Sequence, residues 1–381
     1  SWNETRTAIR SPDSYNFGIN RNMNIDYKIT NNLVTKYSWA SQSKLNDFRG
    51  YAWTAIKNLD PGVITNITES MNTTYNPQFL RWLKPSLSYS ASYRWVDDLS
   101  REGQTISSNL RFTSSFTLSP SEIFEFFYKP PSKQRKSAGT RSRNSRSRAS
   151  VKKNSNSSKE EKKVKEIKPL IYIHGLIEKI NPISLNYTET LNRSANQVLG
   201  AVPNGYKFGW LPNHGLEQSS QVGSNFGGWD HRRDAALRSG LKLSRLININ
   251  FNYSQNFSTV ISGSGVQQKT LTRDFITLDE LFLNGMPFPG WSLRISGVEK
   301  WPIIKWFAKT ASFDHSYAGK ESRSWQFENY TSEEDMNFLK LGDFIENNKD
   351  YERSSRINMN FAPLIGLNMT LKKNVSFTFR H

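Results

Sequence analysis

Apolar and polar residues alternate along residues 355 to 381. Ile357, Met359, Phe361, Ile365, Leu367, Met369 and Leu371 share one parity, and Asn358, Asn360, Asn368 and Thr370 stand between them. A two-residue period of this kind belongs to a strand whose two sides meet different surroundings. Lys373-Asn374 makes a short turn, after which Val375, Phe377 and Phe379 resume the alternation, so the stretch predicts a β-hairpin. A second run sets Leu241, Leu243, Ile247, Ile249, Phe251, Tyr253 and Phe257 against Lys242, Ser244, Asn248, Asn250, Asn252 and Ser254, with Arg245 as the single break. It predicts one long strand. A third runs from Tyr15 to Ile29, interrupted on its apolar parity at Arg21, and turns at Asn31-Asn32 into Leu33, Tyr37 and Trp39.

Weaker patterns fill the rest. Strands are expected at 65–76, 87–95, 106–118, 183–191, 260–276, 290–297 and 311–328, about 12 in all with those above. Short helical turns are expected at Pro120 to Tyr128 and Pro169 to Ile180. Phe79 to Leu83 with Tyr89, Ser92 and Tyr93 align at constant offset with Ile303 to Phe307 with Phe313, Ser316 and Tyr317, which predicts two amphipathic turns on one side of the sheet. Strand alternation then puts the turns at 79–85, near Ser258, at 298–309 and at 373–374 on that side, together with the stretch around 132–168. The loops at 40–64, 193–234, 277–289 and 329–353 fall on the other.

A soluble sheet would hold its apolar side against a core, whereas a membrane barrel turns it toward lipid and keeps Asn, Ser and Thr toward water. Composition favours the barrel. No apolar run approaches 18 residues, which excludes a helical membrane protein, while aromatics make up 13% with 11 Trp. The expected fold is therefore all-β: an antiparallel transmembrane β-barrel segment, part of a larger barrel, with strands in 1–131 and 169–381 around a basic insert at 132–168. On this reading Ile247, Ile249, Phe251, Tyr253, Phe257, Ile357, Met359, Phe361, Leu367 and Met369 face lipid. Asn248, Asn250, Asn252, Asn358, Asn360 and Asn368 face the lumen. Arg21 belongs near a headgroup layer, where a lipid-facing Arg costs about 0 to 1 kcal/mol rather than about 2 to 4 at the midplane. Ser1 is followed by no leader pattern, so the chain reads as an internal or C-terminal fragment.

The net charge of +18 suggests nucleic acid until it is located. Residues 129 to 168 hold 15 Lys and Arg against 3 acids, so +12 of it lies there. Almost without apolar residues, the insert reads as a disordered loop. It carries no interleaved aromatics from Ser132 to Lys168, and no nucleic-acid partner is expected. The five histidines are scattered at 174, 214, 231, 315 and 381, none with a second ligand at metal spacing, and His315 reads as interfacial. With no Cys, no phosphate loop, no serine elbow and no calcium spacing, neither a cofactor nor an enzyme activity is expected.

One stretch also carries a resemblance. Phe361, Ala362, Pro363, Leu364, Ile365, Gly366, Leu367, Asn368, Met369 and Thr370, followed by Lys373-Asn374, resemble a hairpin of the SprA (Sov) family, the outer-membrane translocon of type IX protein secretion. Pro289 to Leu293, then Gly297, Lys300, Pro302, Ile303, Lys305 and Phe307, then Asp314 to Tyr317 resemble the stretch before that hairpin. The order and spacing agree over residues 286 to 374. The resemblance implies a multi-pass outer-membrane pore that moves folded cargo proteins, has a wide lumen and a lateral opening, and works with other outer-membrane and periplasmic secretion components, a pore plug or shuttle barrel among them. In a wall of roughly 36 strands, about 12 would be roughly a third. A barrel-anchored surface adhesion protein and a smaller uptake channel remain open alternatives.

Overall fold

The computed structural model describes residues 2–5, 14–45, 54, 57–59, 61–99, 101–128, 168–220, 226–263, 265–278, 283–328 and 341–381. The expectation of disorder at 132–168 therefore lies outside the described residues save Lys168. So do parts of the loops expected at 40–64, 277–289 and 329–353.

Antiparallel sheet dominates. The strands are β1 (Trp2–Thr5), β2 (Ser14–Thr30), β3 (Leu33–Lys44), β4 (Val63–Tyr75), β5 (Leu83–Asp97), β6 (Gln104–Leu118), β7 (Ile183–Val198), β8 (Gly227–Lys242), β9 (Ile247–Ile261), β10 (Gln267–Leu278), β11 (Leu283–Pro287), β12 (Gly290–Ser296), β13 (Ala308–Phe327), β14 (Glu352–Phe361), β15 (Gly366–Leu371) and β16 (Ser376–Arg380). From β1 to β10 each strand pairs with the next in sequence, as hairpin-connected alternating segments do. Helices interrupt the series, among them α1 (Pro120–Phe127), α2 (Lys168–Ile177), α3 (Asn204–Lys207) and α4 (Leu341–Asn347). Two 3-10 turns, Val298–Lys300 and Ile304–Trp306, precede β13.

Two positions in the sheet are each filled by two short strands. The upper part of β9, Gln255 to Ile261, pairs with β10, and its lower part, Ile247 to Asn252, pairs with β12. Beyond them β13 receives both, β10 along Lys320 to Phe327 and β12 along Ser312 to Tyr317. Between the two the chain leaves the row as a hairpin with β11, through Phe275↔Pro287 and Ile276↔Met286. On the far side of β13, β14 and β15 line up in the same way, Tyr317↔Phe361 and Asp314↔Gly366. Ala362 to Ile365 bulge there against only His315 and Ser316. Leaving β1 aside, β2 to β9, the β10/β12 pair, β13, the β14/β15 pair and β16 thus occupy twelve positions side by side; the expected count of about 12 was composed differently, with 260–276 and 290–297 as separate strands and none over 227–240.

The connections fall at two ends. At the lower end the chain leaves and re-enters the strands at 30/33, 75/83, 118/183, 242/247, 296/308 and 371/376, and at the upper end at 44/63, 97/104, 198/227, 261/267 and 327/352. The offset repeat is placed as expected, with 79–83 and 303–307 both at the lower end. Three readings need correction. The run from Leu241 to Phe257 is not one strand, because the chain turns at 243–246, where the Ser244 hydroxyl accepts from the Leu246 and Ile247 amides at 3.1 and 3.2 Å. Ser258 lies inside β9, so the expected turn there falls at 243–246 and 262–266 instead. The loop expected at 193–234 shrinks to 199–226, because Arg193 extends β7 and the charged run Asp230 to Arg233 belongs to β8.

Candidate functional site

Register sorts the whole sheet into two faces. The pairs Tyr27↔Thr35, Tyr37↔Met71, Met71↔Ala91, Ala91↔Leu110, Leu110↔Leu191, Leu185↔Leu237, Leu237↔Tyr253, Ile249↔Leu293, Leu293↔His315 and Phe313↔Leu367 carry one face from β2 to β15. Phe377 and Phe379 continue it on β16. The opposite face holds Ser, Thr and Asn throughout, bonded across strands: Ser38 to Ser70 at 2.6 Å, Ser115 to Asn186 at 2.8 Å and Ser324 to Ser354 at 2.6 Å. From β4 to β9 the sheet borders an open depression of about 640 Å³ whose lining includes Thr68, Ser92, Arg94, Asn109, Asn192 and Asp230.

Register divides the sixteen residues singled out from sequence between the two faces of the sheet. Ile247, Ile249, Phe251, Tyr253, Phe257, Ile357, Met359, Phe361, Leu367 and Met369 stand on the apolar one. Asn248, Asn250, Asn252, Asn358, Asn360 and Asn368 stand on the polar one. Phe257 is the exception in its surroundings. It is 3% exposed, packed with Leu271, Trp325, Leu341 and Phe344 beneath α4, so it faces protein and not the exterior. Parity fixes the face of a residue but not what lies over it.

The apolar face itself divides at a level that crosses the strands. Below it the face is bare: Ile25 is 47% exposed, Met359 44% and Phe377 48%. On β3 this band runs from Leu33 to Trp39, about 20 Å along the strand at ~3.4 Å per residue, and on β13 it is open at Phe313 and His315, between Ala311 under Val298 and Tyr317 and Gly319 under the hairpin of β10 and β11. Its one charge-capable side chain within β13 is His315, which sequence had read as interfacial. The ring lies mid-band between Trp291 and Phe361, and its Nδ1 meets the Leu364 carbonyl at 2.7 Å.

Charge begins at the upper border. Arg21 donates to Ser43 at 2.6 Å, and Glu189 sits 2.6 Å from His231 and 3.3 Å from Arg233. Glu321, fully buried, lies 2.6 Å from both Arg273 and Arg323, and Arg323 reaches Glu352 at 3.4 Å. Above this level the chain covers its own face. Tyr206 of α3 packs on Tyr93, Ile106, Ala195 and Val198. The Arg193 guanidinium ties that cover down: it donates to the carbonyls of Tyr206 at 3.0 Å, Pro212 at 3.0 Å and Leu211, and stacks on the Tyr206 ring at 4.2 Å. Lys207 adds an ion pair to Glu69 at 2.7 Å. Burial, with Arg193 nearby, holds the His214 imidazole below its ordinary value, and burial pushes the Tyr206 phenol up. The hairpin of β10 and β11 covers a third stretch, where the Tyr317 hydroxyl donates to Phe275 at 2.9 Å. A Cβ at Gly319 would stand 2.1 Å from that same carbonyl, so only glycine lets the hairpin lie down.

The lower rim has a different character. Val298 packs on Ala308 and Ala311, and Glu299 accepts from the Ala311 amide at 3.0 Å, which seats the 3-10 turns under the band. Trp301, Ile303 and Trp306 point away, exposed, as do Phe126, Phe127 and Tyr172 on α1 and α2.

Sequence reasoning missed Glu69, Arg193 and Glu321. Each is a charge on the apolar parity, and that misfit was the available signal for a covered position. Among the described residues no group of three His, Cys, Asp or Glu is placed to hold a metal ion, and no helix is long and apolar enough to cross a membrane. No protein-family model and no curated protein matches the chain.

Proposed function

We propose that the sheet is part of the wall of a transmembrane β-barrel in an outer membrane, and that its polar face lines a pore through which folded proteins pass. The observation that carries this reading is the bare apolar band, bounded above by charge and below by Trp-rich turns, on the reverse of a face made of Ser, Thr and Asn. A soluble domain of this size would bury such a band, whereas lipid solvates it over a height of about 25 Å. Exposed Trp, Tyr and Phe at the lower rim suit the interfacial layer, where amphipathic rings settle.

A face that offers only hydroxyls, amides and charges holds and passes hydrated material. The resemblance of Phe361 to Thr370 and of the stretch before it to the SprA (Sov) family supports a protein translocon of type IX secretion over a small-solute channel. Plug and shuttle components would be its partners, and the insert between α1 and α2 would open on the side of the lower rim, which we assign to the periplasm.

The chain has no cysteine, so single-cysteine variants test the wall directly. In vesicles, Asn250→Cys is expected to react with a membrane-impermeant maleimide and Phe251→Cys to escape it while quenching with a lipid-attached nitroxide. Equal aqueous reactivity at both positions would sink the membrane assignment.

A further inference from the structure

The polar face is not electrically balanced. Its acids are all engaged: Asp26 with Lys36 at 3.7 Å, Asp230 with Arg232 at 3.1 Å and Asp314 with Arg294 at 3.8 Å. Asp234 accepts from Asn256, and Asp274 accepts from the Ser254 amide at 2.6 Å and its hydroxyl at 3.0 Å. Many of its cations are not. Lys84, Arg94, Arg111, Arg238, Lys320 and Arg356 are exposed on this face and make no ion pair among the described residues. They are spread over β5, β6, β8, β13 and β14: Lys84 faces Thr117, Arg111 faces Ser90 and Thr190, and Arg238 faces Ser184 and Asn252, whereas Lys320 stands opposite Asp274 without an ion pair to it. Arg94 also lines the open depression that spans β4 to β9.

Charges held on a rigid sheet at separations beyond the Debye length, about 8 Å at physiological salt, act as separate weak sites and not as one tight one. A surface with an excess of one sign of charge still concentrates counter-charged solutes in front of it. Weak, dispersed attraction suits a surface along which a large body must slide, because no single contact holds it. Polyanionic nucleic acid is disfavoured, since none of the described strand residues on this face is aromatic and single strands need rings to stack on.

We propose that the polar face is an interaction surface for acidic protein: the cations Lys84, Arg94, Arg111, Arg238, Lys320 and Arg356 attract the carboxylate-rich exteriors of the proteins that pass it. This names a substrate class for the pore-wall reading and rests on it for its biological sense. The charge asymmetry itself belongs to the sheet whether or not a bilayer surrounds it.

The test is made in detergent solution on the full chain, with every Lys and Arg of residues 132–168 replaced by Ser so that the insert does not contribute. Fluorescein-labelled poly-glutamate is expected to bind, poly-lysine not to, and binding is expected to fall as salt rises. Replacing three cations in Arg94→Gln/Arg111→Gln/Arg238→Gln should weaken poly-glutamate binding about tenfold, each exposed charge contributing modestly, and Lys84→Gln/Lys320→Gln/Arg356→Gln should do the same. The corresponding Arg→Lys triple variant should keep it. Unchanged binding in both glutamine variants, loss in the lysine variant, a preference for poly-lysine, or tighter binding of single-stranded DNA than of poly-glutamate would each overturn the assignment. Because the assay needs no bilayer, its failure is separate from failure of the cysteine-labelling experiment.

Discussion

The apolar face carries the same alternation from end to end, yet its lower half is bare and its upper half is roofed by the chain's own loops. Met359 stands open on β14, whereas Trp325, three rows higher on the neighbouring strand, is 1% exposed under α4. What separates them is charge. Below the border the face holds almost no ionisable side chains, and surroundings supplied from outside can cover it. Above it, Glu69, Glu189, Arg193 and Glu321 need partners that lipid cannot provide, and the upper loops bring those partners down: Lys207 to Glu69, and backbone carbonyls to Arg193. Alternation thus produces two kinds of surface, and the polar atoms within each row decide which.

The largest effect should come from breaking the border itself. Glu321→Ala leaves Arg273 and Arg323 facing each other in a buried site, at a cost of about 3 to 5 kcal/mol. Hydrogen exchange should quicken along β10 and β13 and not along β3 and β4. Exchange rising evenly over the sheet would erase the distinction between the halves. Next comes the bare half. Phe251→Arg should lower the yield of membrane-assembled protein by about 2 to 4 kcal/mol of insertion free energy, and Asn250→Arg by little, although the two residues are neighbours. Equal yields would mean that the band is not in lipid.

Smaller effects sharpen the roofed half. Arg193→Met leaves the carbonyls of Leu211 and Pro212 without their donor and should loosen residues 199–220 by about 1 to 3 kcal/mol, seen as faster proteolysis of that loop with β7 still protected. The smallest effect is pH-dependent. His214 is held below its ordinary value, so the docked loop favours its neutral form. That contribution is present above about pH 6.5, the unfolded value, and fades as pH falls below it. Trp210 fluorescence should report loosening on acidification, and His214→Gln should flatten the response.

Much of this was legible in the sequence, because period-two alternation names the face of each residue independently of strand boundaries. Ile249, Phe251, Met359, Phe377 and the turn at Lys373-Asn374 could all be read that way. The boundaries were harder for a physical reason. The turn at 243–246 leaves Leu241 and Ile249 paired on one face, and the bulge at 362–365 sets four residues against two, so neither disturbs parity and neither leaves a mark in the pattern. The roof was not legible at all. Its Gly, Asn and Trp carry no period, and α4 and α3 are held by contacts with strands far away in sequence. The surplus of cations on the polar face could have been counted from the parity, had Lys84, Arg111 and Arg238 been set beside the few acids in the same phase.

The shared sheet position of β10 and β12 has a consequence for how the chain tolerates insertion and deletion. Adding one residue inside an unbroken strand such as β13 would exchange the two faces for every residue beyond it, unless a bulge absorbed the change. Adding one between Leu278 and Leu283 would lengthen only the excursion, because β12 takes its register afresh from Asn252 on one side and Tyr317 on the other. The hairpin is therefore a site where length can vary across generations while Leu293 and Ile295 keep facing the same way.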